Sequence, residues 1–267
     1  MVNKQFHLAT LSAITLLTYS CSNGEEDHPG KQVVSEERRL KTLMVQYPDS
    51  VLITENLIEY YRNNGSYDTA IIATREAIQK DSANVDLWDI MGTLQYENGD
   101  TMQAIKAYEI AIDIYPLPEY IISLGTLYAQ TKNQKALEMA DALIVGDRAN
   151  AKREALFIKG LYYNYISDKK RAIAFFDSCI SKDYTYMFAY REKAIALYDQ
   201  AKYEEASKVL TRAVTIQNNF DEGYYWLGKC YEKLSNMQKA KESYQMALLY
   251  DKNFIEAKQA LARLTKE

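Results

Sequence analysis

The stretch Trp88–Pro116 reads WDIMGTLQYENGDTMQAIKAYEIAIDIYP. Gly92, Ala104 and Ala111 stand where a helix has room for larger apolar side chains, Gly99 lies near the middle, and Pro116 closes the stretch. Subtracting positions shows why. Gly65 and Gly99 differ by 34 in position, as do Ala70 and Ala104, Ala77 and Ala111, and Ala172, Ala206 and Ala240 in turn. Cys179, Ala213 and Ala247 keep the same step, while Pro48 and Pro116, and Gly160 and Gly228, are separated by 68. A period of 34 marks an array of helix–turn–helix units.

The spacing has a physical reason. Two antiparallel helices cannot bury their apolar faces alone. Small residues let one helix approach its neighbour, and large ones such as Trp88, Tyr108 and Tyr244 fill the gaps, so that stacked units share one continuous core. Gly65 and Gly99 supply the positive φ that ends the first helix of a pair, and Pro116 stops the second. Composition agrees. The 267 residues include only 10 Gly and 4 Pro. Good helix formers dominate many segments, and no alternating β-branched run is long enough to propose a sheet. The expected fold class is all-α.

Trp88, Met91-Gly92, Ala104, Tyr108, Ala111 and Pro116 resemble the tetratricopeptide repeat pattern. Tyr224, Leu227-Gly228, Tyr231, Ala240, Tyr244 and Ala247 repeat it, as do Leu57, Tyr61, Gly65, Ala70 and Ala77. The register gives six units, 51–84, 85–117, 118–152, 153–186, 187–220 and 221–254. The resemblance implies a right-handed superhelical solenoid of paired helices. The third unit departs from the spacing: the step from Gly125 to Ala136 is one shorter than in the other units, and the step from Ala136 to Ala172 is two longer than the common period. A tightened internal turn and a loosened exit around Val145 to Ala151 are expected there. Ser35-Glu36-Glu37 reads as a capped helix start. The helix within 33–48 resembles the second half of a repeat. Ala257, Ala260, Leu261 and Leu264 form one apolar stripe opposite Glu256, Lys258 and Arg263, which predicts a C-terminal capping helix over 255–267.

Residues 1–20 carry Lys4 and a short apolar run from Leu8 to Leu17, too short to span a bilayer but suited to a secretory signal. The run ends at TYSC, which resembles the lipobox of bacterial lipoproteins; that resemblance implies lipidation (a palmitate-type anchor) at Cys21 and attachment to a bacterial outer membrane. Residues 21–32 have no apolar pattern and read as a flexible tether. Without residues 1–20 the chain has 31 basic and 36 acidic residues, a net charge of −5, which does not favour nucleic acid or an anionic lipid surface. Glu25-Glu26-Asp27 after Cys21 resembles the surface-export signal of Bacteroidetes lipoproteins. DSV at 49–51, DTA at 68–70, DSA at 81–83 and DTM at 100–102 resemble the O-glycosylation motif of the same bacteria, although Asp with Ser or Thr also belongs in turns and caps.

Sequence motifs for chemistry are missing. After residue 20 the one histidine is His28, in the tether. No Cys/His cluster has metal spacing, and no phosphate loop, HExxH or GxSxG occurs. Cys179 and Cys230 are expected as free thiols, because the register sets them two repeats apart. No enzymatic activity, metal or cofactor is expected. In the family the first helix of each pair lines a concave groove. That places Tyr96, Phe157, Tyr165, Phe188, Tyr198 and Tyr225 inward as candidate anchors for a partner. Charged candidates join them. Glu55, Glu59, Asp86, Asp89, Glu97 and Glu119 oppose Arg62 in the first three units. Arg191, Lys229 and Lys233 stand with Asp199, Glu222 and Glu232 in the last two. An acidic amino-terminal half and a mixed remainder follow. The family's clamp for chaperone carboxyl termini uses Lys, Arg and Asn, but Glu59, Thr93 and Thr126 stand at those places. The expectation is a scaffold of the cell envelope that binds a protein or peptide in the groove. The alternative is a glycan-binding accessory lipoprotein using the same aromatics.

Overall fold

The structure is a computed structural model, and it describes residues 35–146 and 151–265. The signal segment 1–20, Cys21, the tether with His28, and residues 147–150 of the expected loose exit lie outside the described residues. Within them are fourteen helices and no strand. They are α1 (Glu36–Gln46), α2 (Val51–Asn63), α3 (Tyr67–Lys80), α4 (Val85–Glu97), α5 (Thr101–Ile114), α6 (Pro118–Gln130) and α7 (Lys135–Gly146), followed by α8 (Lys152–Tyr165), α9 (Lys169–Lys182), α10 (Met187–Asp199), α11 (Tyr203–Ile216), α12 (Asp221–Lys233), α13 (Met237–Tyr250) and α14 (Ile255–Thr265). No helix among these residues is long and apolar enough to cross a membrane.

The chain divides after Tyr120 into two compact units. The first holds α1–α5 and the opening turn of α6. Its core gathers Leu40 of α1, Leu57, Ile58 and Tyr61 of α2, Ala70, Ile71 and Ile78 of α3, and Leu87, Met91 and Leu94 of α4. The second holds the rest of α6 through α14. One of its cores joins Ala194, Leu197, Ala206, Leu210, Leu227 and Cys230; another joins Ala240, Tyr244, Ala247, Ala257, Ala260 and Leu264. The apolar stripe of α14 is thus packed against α13, with Leu261 only partly buried.

Helix starts and stops recur in register. Asp100, Asp168 and Asn236 each cap a second helix by accepting a hydrogen bond from the backbone N–H three residues on, which satisfies one of the orphan donors of a helix N-terminus. Ser35 does the same for α1 at 3.4 Å. Each first helix ends two residues before a positive φ: Gly65 (71°), Gly99 (89°), Lys132 (59°), Ser167 (69°), Ala201 (57°) and Ser235 (58°). The third unit keeps that ending and tightens the next step. Ala136 N–H bonds to Asn133 C=O, three residues back. Its counterparts Ala70, Ala104, Ala172, Ala206 and Ala240 each bond four residues back. One residue fewer therefore separates the positive-φ residue from the register alanine, four from Lys132 to Ala136 against five from Gly99 to Ala104, as the shortened step from Gly125 to Ala136 predicts.

The small residues are explained by what faces them. A Cβ on Gly92 would stand 2.6 Å from the Tyr108 ring, one on Gly160 2.5 Å from Phe176, and one on Gly228 2.5 Å from Tyr244. Where the first helix carries more volume the second carries less: Ile58 corresponds to Thr74 and Ala194 to Leu210, all four buried. The two helices of a pair divide one volume between them. Cys179 and Cys230 are fully buried free thiols with pKa values pushed up to about 12 by burial, so they act as small core residues rather than nucleophiles.

Candidate functional site

In the first unit the candidate residues lie on α2, α4 and the start of α6. Arg62 is held by Glu97 through a two-toothed contact, Nη2 to Oε1 at 2.6 Å and Nε to Oε2 at 2.8 Å, with Glu59 at 3.4 Å. That arrangement fixes a planar guanidinium on a carboxylate and uses up the cation nearest the acidic side chains. Glu55, Asp86, Asp89 and Glu119 remain. Tyr120, itself buried, donates its hydroxyl to Asp86 Oδ1 at 3.0 Å. Burial, then the charges of Asp86 and Glu119, push the Asp89 carboxyl up to about 6; a hydrogen bond from Tyr108 opposes this. Burial and then Asp86 also raise Glu55. These carboxylates therefore repel one another on a partly exposed face. Tyr96, in the last turn of α4, is half-buried.

In the second unit the predicted set splits. Phe157 and Arg191 are each only 5% exposed, which corrects their assignment to an accessible face. Phe157 packs among Phe176, Tyr186 and Phe188, with ring centroids 5.9, 5.2 and 6.5 Å away. Arg191 bonds Glu192 Oε1 through Nε at 3.1 Å and Glu222 Oε2 through Nη1, and lies over the Phe188 ring. The reason is that most of α10 is buried: Met187, Ala189, Tyr190, Ala194, Ala196 and Leu197 are enclosed along with Arg191 and Glu192. Tyr165 and Phe188 are half-buried.

Tyr198, Tyr225 and Lys229 do come together. With Glu232, Lys233, Glu256, Gln259 and Arg263 they line a pocket of about 480 Å³ on α10, α12 and α14. The Lys229 Nζ stands 3.9 Å from the centroid of Trp226, 5.3 Å from that of Tyr198 and 5.7 Å from that of Tyr225. Arg263 bonds Glu232 at 2.5 Å, and the Tyr244 hydroxyl donates to the same carboxylate. Sequence reasoning missed Gln259 and Arg263 as site residues. The signal was available, since they stand one repeat period after Tyr225 and Lys229. It also missed an apolar groove of about 700 Å³ in the first unit, lined by Met44, Val45, Val51, Leu57, Ile72 and Ala77 among others. Of the residues at the clamp positions, Thr93 and Thr126 are buried, and Thr93 shares a 2.9 Å hydrogen bond with Tyr108. Among the described residues no group of His, Cys, Asp and Glu is arranged to hold a metal ion.

Family models for the tetratricopeptide repeat match residues 88–117 and 221–254, and a TPR repeat model matches 194–235. The chain contains tetratricopeptide repeats. Its fold is similar to that of a tetratricopeptide repeat protein from Parabacteroides merdae, at 20% identity and a TM-score of 0.72, over 86% of this chain and 91% of that one. It is also similar to a thermophilic TPR protein of Thermus thermophilus, at 15% identity and a TM-score of 0.58, over 68% of this chain and all of the other.

Proposed function

We propose that this repeat protein is a non-enzymatic scaffold of a bacterial cell envelope, lipid-anchored to the outer membrane through Cys21, which binds a partner protein through a basic segment. One observation carries the reading: Glu55, Asp86, Asp89 and Glu119 share a face whose neighbouring cation, Arg62, is already held by Glu97, and burial, followed by the charges of Asp86 and Glu119, pushes the Asp89 carboxyl up to about 6. A Lys or Arg from a partner relieves that repulsion. The protein reading is supported over the glycan alternative by the second unit, where Lys229 already covers the Trp226 ring that a sugar would stack on. Anchoring at Cys21 rests on the resemblance of TYSC to a lipobox and is checked by metabolic labelling with a clickable fatty acid, with Cys21→Ser as the control.

The binding reading is tested by in-cell crosslinking from Tyr96 and Phe188, followed by mass spectrometry. A recurrent protein partner is expected, and its capture falls at least tenfold in the doubly reversed variant Asp86→Lys/Asp89→Lys. Capture that is unchanged by the reversal removes the acidic face from the mechanism. The pH dependence has a fixed sign. A cation lowers the raised Asp89 pKa on binding and releases its proton, so affinity rises with pH across the region of about 6 and levels off above about 7.

A further inference from the structure

We propose that the pocket on α10, α12 and α14 receives a single carboxylate side chain of a bound peptide, with Lys229 as its anchor. The inference rests on the protein-binding reading and names the chemistry of one subsite. Lys229 is half-buried and makes no ion pair among the described residues; its ammonium is surrounded by the rings of Trp226, Tyr198 and Tyr225. The carboxylates nearest to it are taken. Glu232 holds Arg263 and the Tyr244 hydroxyl, and Asp199 accepts from Lys169 Nζ at 2.7 Å. Burial lowers the Lys229 pKa, against the weaker raising influence of Asp199, Cys230 and Glu232. A half-buried ammonium packed against ring faces, with Glu232 and Asp199 engaged elsewhere and the like charge of Lys233 beside it, lacks the charge-assisted acceptor that such a group normally finds.

The charge balance selects the ligand. With Glu232 and Arg263 cancelling, the pocket lining retains Lys229 and Lys233 against Glu256, a net charge of +1. That suits a monoanion better than a doubly charged phosphate. Gln259 lines the same pocket as a neutral donor, and Tyr198 and Tyr225 present flat apolar surface for the stem of the acidic residue. Apart from Tyr244 of α13, the lining comes from the first-of-pair helices α10 and α12 and the capping helix α14, so a peptide laid across them passes over the pocket and offers a side chain rather than its end.

The test is an NMR titration of the full chain with four probes: Ac-Leu-Glu-Leu-NH2, Ac-Leu-Gln-Leu-NH2, Ac-Leu-Gln-Leu with a free carboxyl terminus, and inorganic phosphate. The Lys229 side-chain signal is assigned by its loss in Lys229→Gln, and circular dichroism verifies that this variant folds. The glutamate peptide is expected to shift the Lys229, Tyr198 and Tyr225 signals at millimolar concentration, at least about fivefold more tightly than the glutamine peptide. Lys229→Gln abolishes the difference and Lys229→Arg retains most of it. Equal shifts from both amidated peptides, no shifts at all, or a response indifferent to Lys229→Gln overturn the proposal. Tighter binding of the free carboxyl terminus or of phosphate overturns the assignment to a side chain. A protein crosslinked from Tyr96 or Phe188 alongside a silent titration removes the subsite and leaves the scaffold reading standing; the reverse result does the opposite.

Discussion

The pairs α10–α11 and α12–α13 are built on one register, a single repeat apart, and solve the same packing problem differently. The first sets Ala194 against Leu210, the second Gly228 against Tyr244, and all four residues are buried. At nearby positions the contrast grows: Arg191 and Glu192 of α10 are enclosed, whereas Tyr225 and Trp226 of α12 are only half-buried. Surroundings explain this. Helix α10 packs with α8, α9, α11 and α12, while past α12 and α13 the described residues supply only the single helix α14. A central position closes over its polar groups and forces them to pair; a position next to the end keeps a pocket open. Polar chemistry in this array is structural in the middle of the second unit and available near its carboxyl end.

The largest test of that contrast is Arg191→Ala. It leaves Glu192 buried without its guanidinium, and breaking such a pair costs about 3–5 kcal/mol. Burial already raises the Glu192 pKa. With a raised folded value, stability is lost as pH rises through it, so the melting-temperature deficit of Arg191→Ala is expected to shrink at pH 5 relative to pH 8. Removing both charges, Arg191→Met/Glu192→Leu, is expected to cost less than Arg191→Ala alone. The equivalent change in α12, Tyr225→Ala, is expected to be milder, because its ring is already partly in water; thermal unfolding followed by circular dichroism ranks the three.

Next in size is Gly228→Ala. The new Cβ falls 2.5 Å from Tyr244 Cε1 and 2.8 Å from Cδ1 and Cζ, an overpacking worth about 1–3 kcal/mol. Gly228→Ala/Tyr244→Leu copies the Ala194 and Leu210 solution into this pair and is expected to recover more than half of the loss in chemical denaturation. Recovery stays incomplete, since the Tyr244 hydroxyl also donates to Glu232. No recovery at all would mean that the volume is not shared between the two helices.

These pairs also mark what the sequence made readable. The all-α repeat fold is legible because the two helices of each pair divide one volume in a fixed register, and Gly92, Gly160 and Gly228 mark visibly where the first helix takes the smaller share. The tightened turn of the third unit was legible as one missing residue before Ala136. The acidic face was legible from Asp86 and Asp89, although its coupling through Tyr120 was not, because Tyr120 looks like any core tyrosine. Arg191 and Phe157 misled for the opposite reason. A charged or aromatic residue on a first helix signals an exposed face only if the neighbouring helices leave it open, and that is decided by partners far along the chain. The pocket of the second unit is half legible: Tyr198, Tyr225 and Lys229 follow from the register, whereas α14 reads as a cap, although its Gln259 and Arg263 continue the register of Tyr225 and Lys229.

The smallest effects concern the turn that ends each first helix. Gly65 and Gly99 have positive φ, as the sequence leads one to expect, but Lys132, Ser167, Ala201 and Ser235 adopt the same conformation with a side chain attached. The Cβ of an L-residue there crowds the following carbonyl at a cost of about 1–2 kcal/mol. Glycine escapes that cost and gives back part of the gain through the greater freedom of its unfolded chain. Ala201→Gly between α10 and α11 is therefore expected to stabilise by roughly 0.5–1 kcal/mol, and Ser235→Gly between α12 and α13 by a similar amount, since the two turns share one backbone geometry. Gly99→Ala in the first unit runs the same change backwards and is expected to destabilise by about 1 kcal/mol; no atom lies within 4 Å of the added Cβ, so its cost reports backbone conformation alone. Urea unfolding of the three variants separates the cases. Equal and opposite shifts mean that the turn is one conformational unit repeated along the chain, whereas a neutral Ala201→Gly means that the buried α10 holds its turn in place regardless of the residue that occupies it.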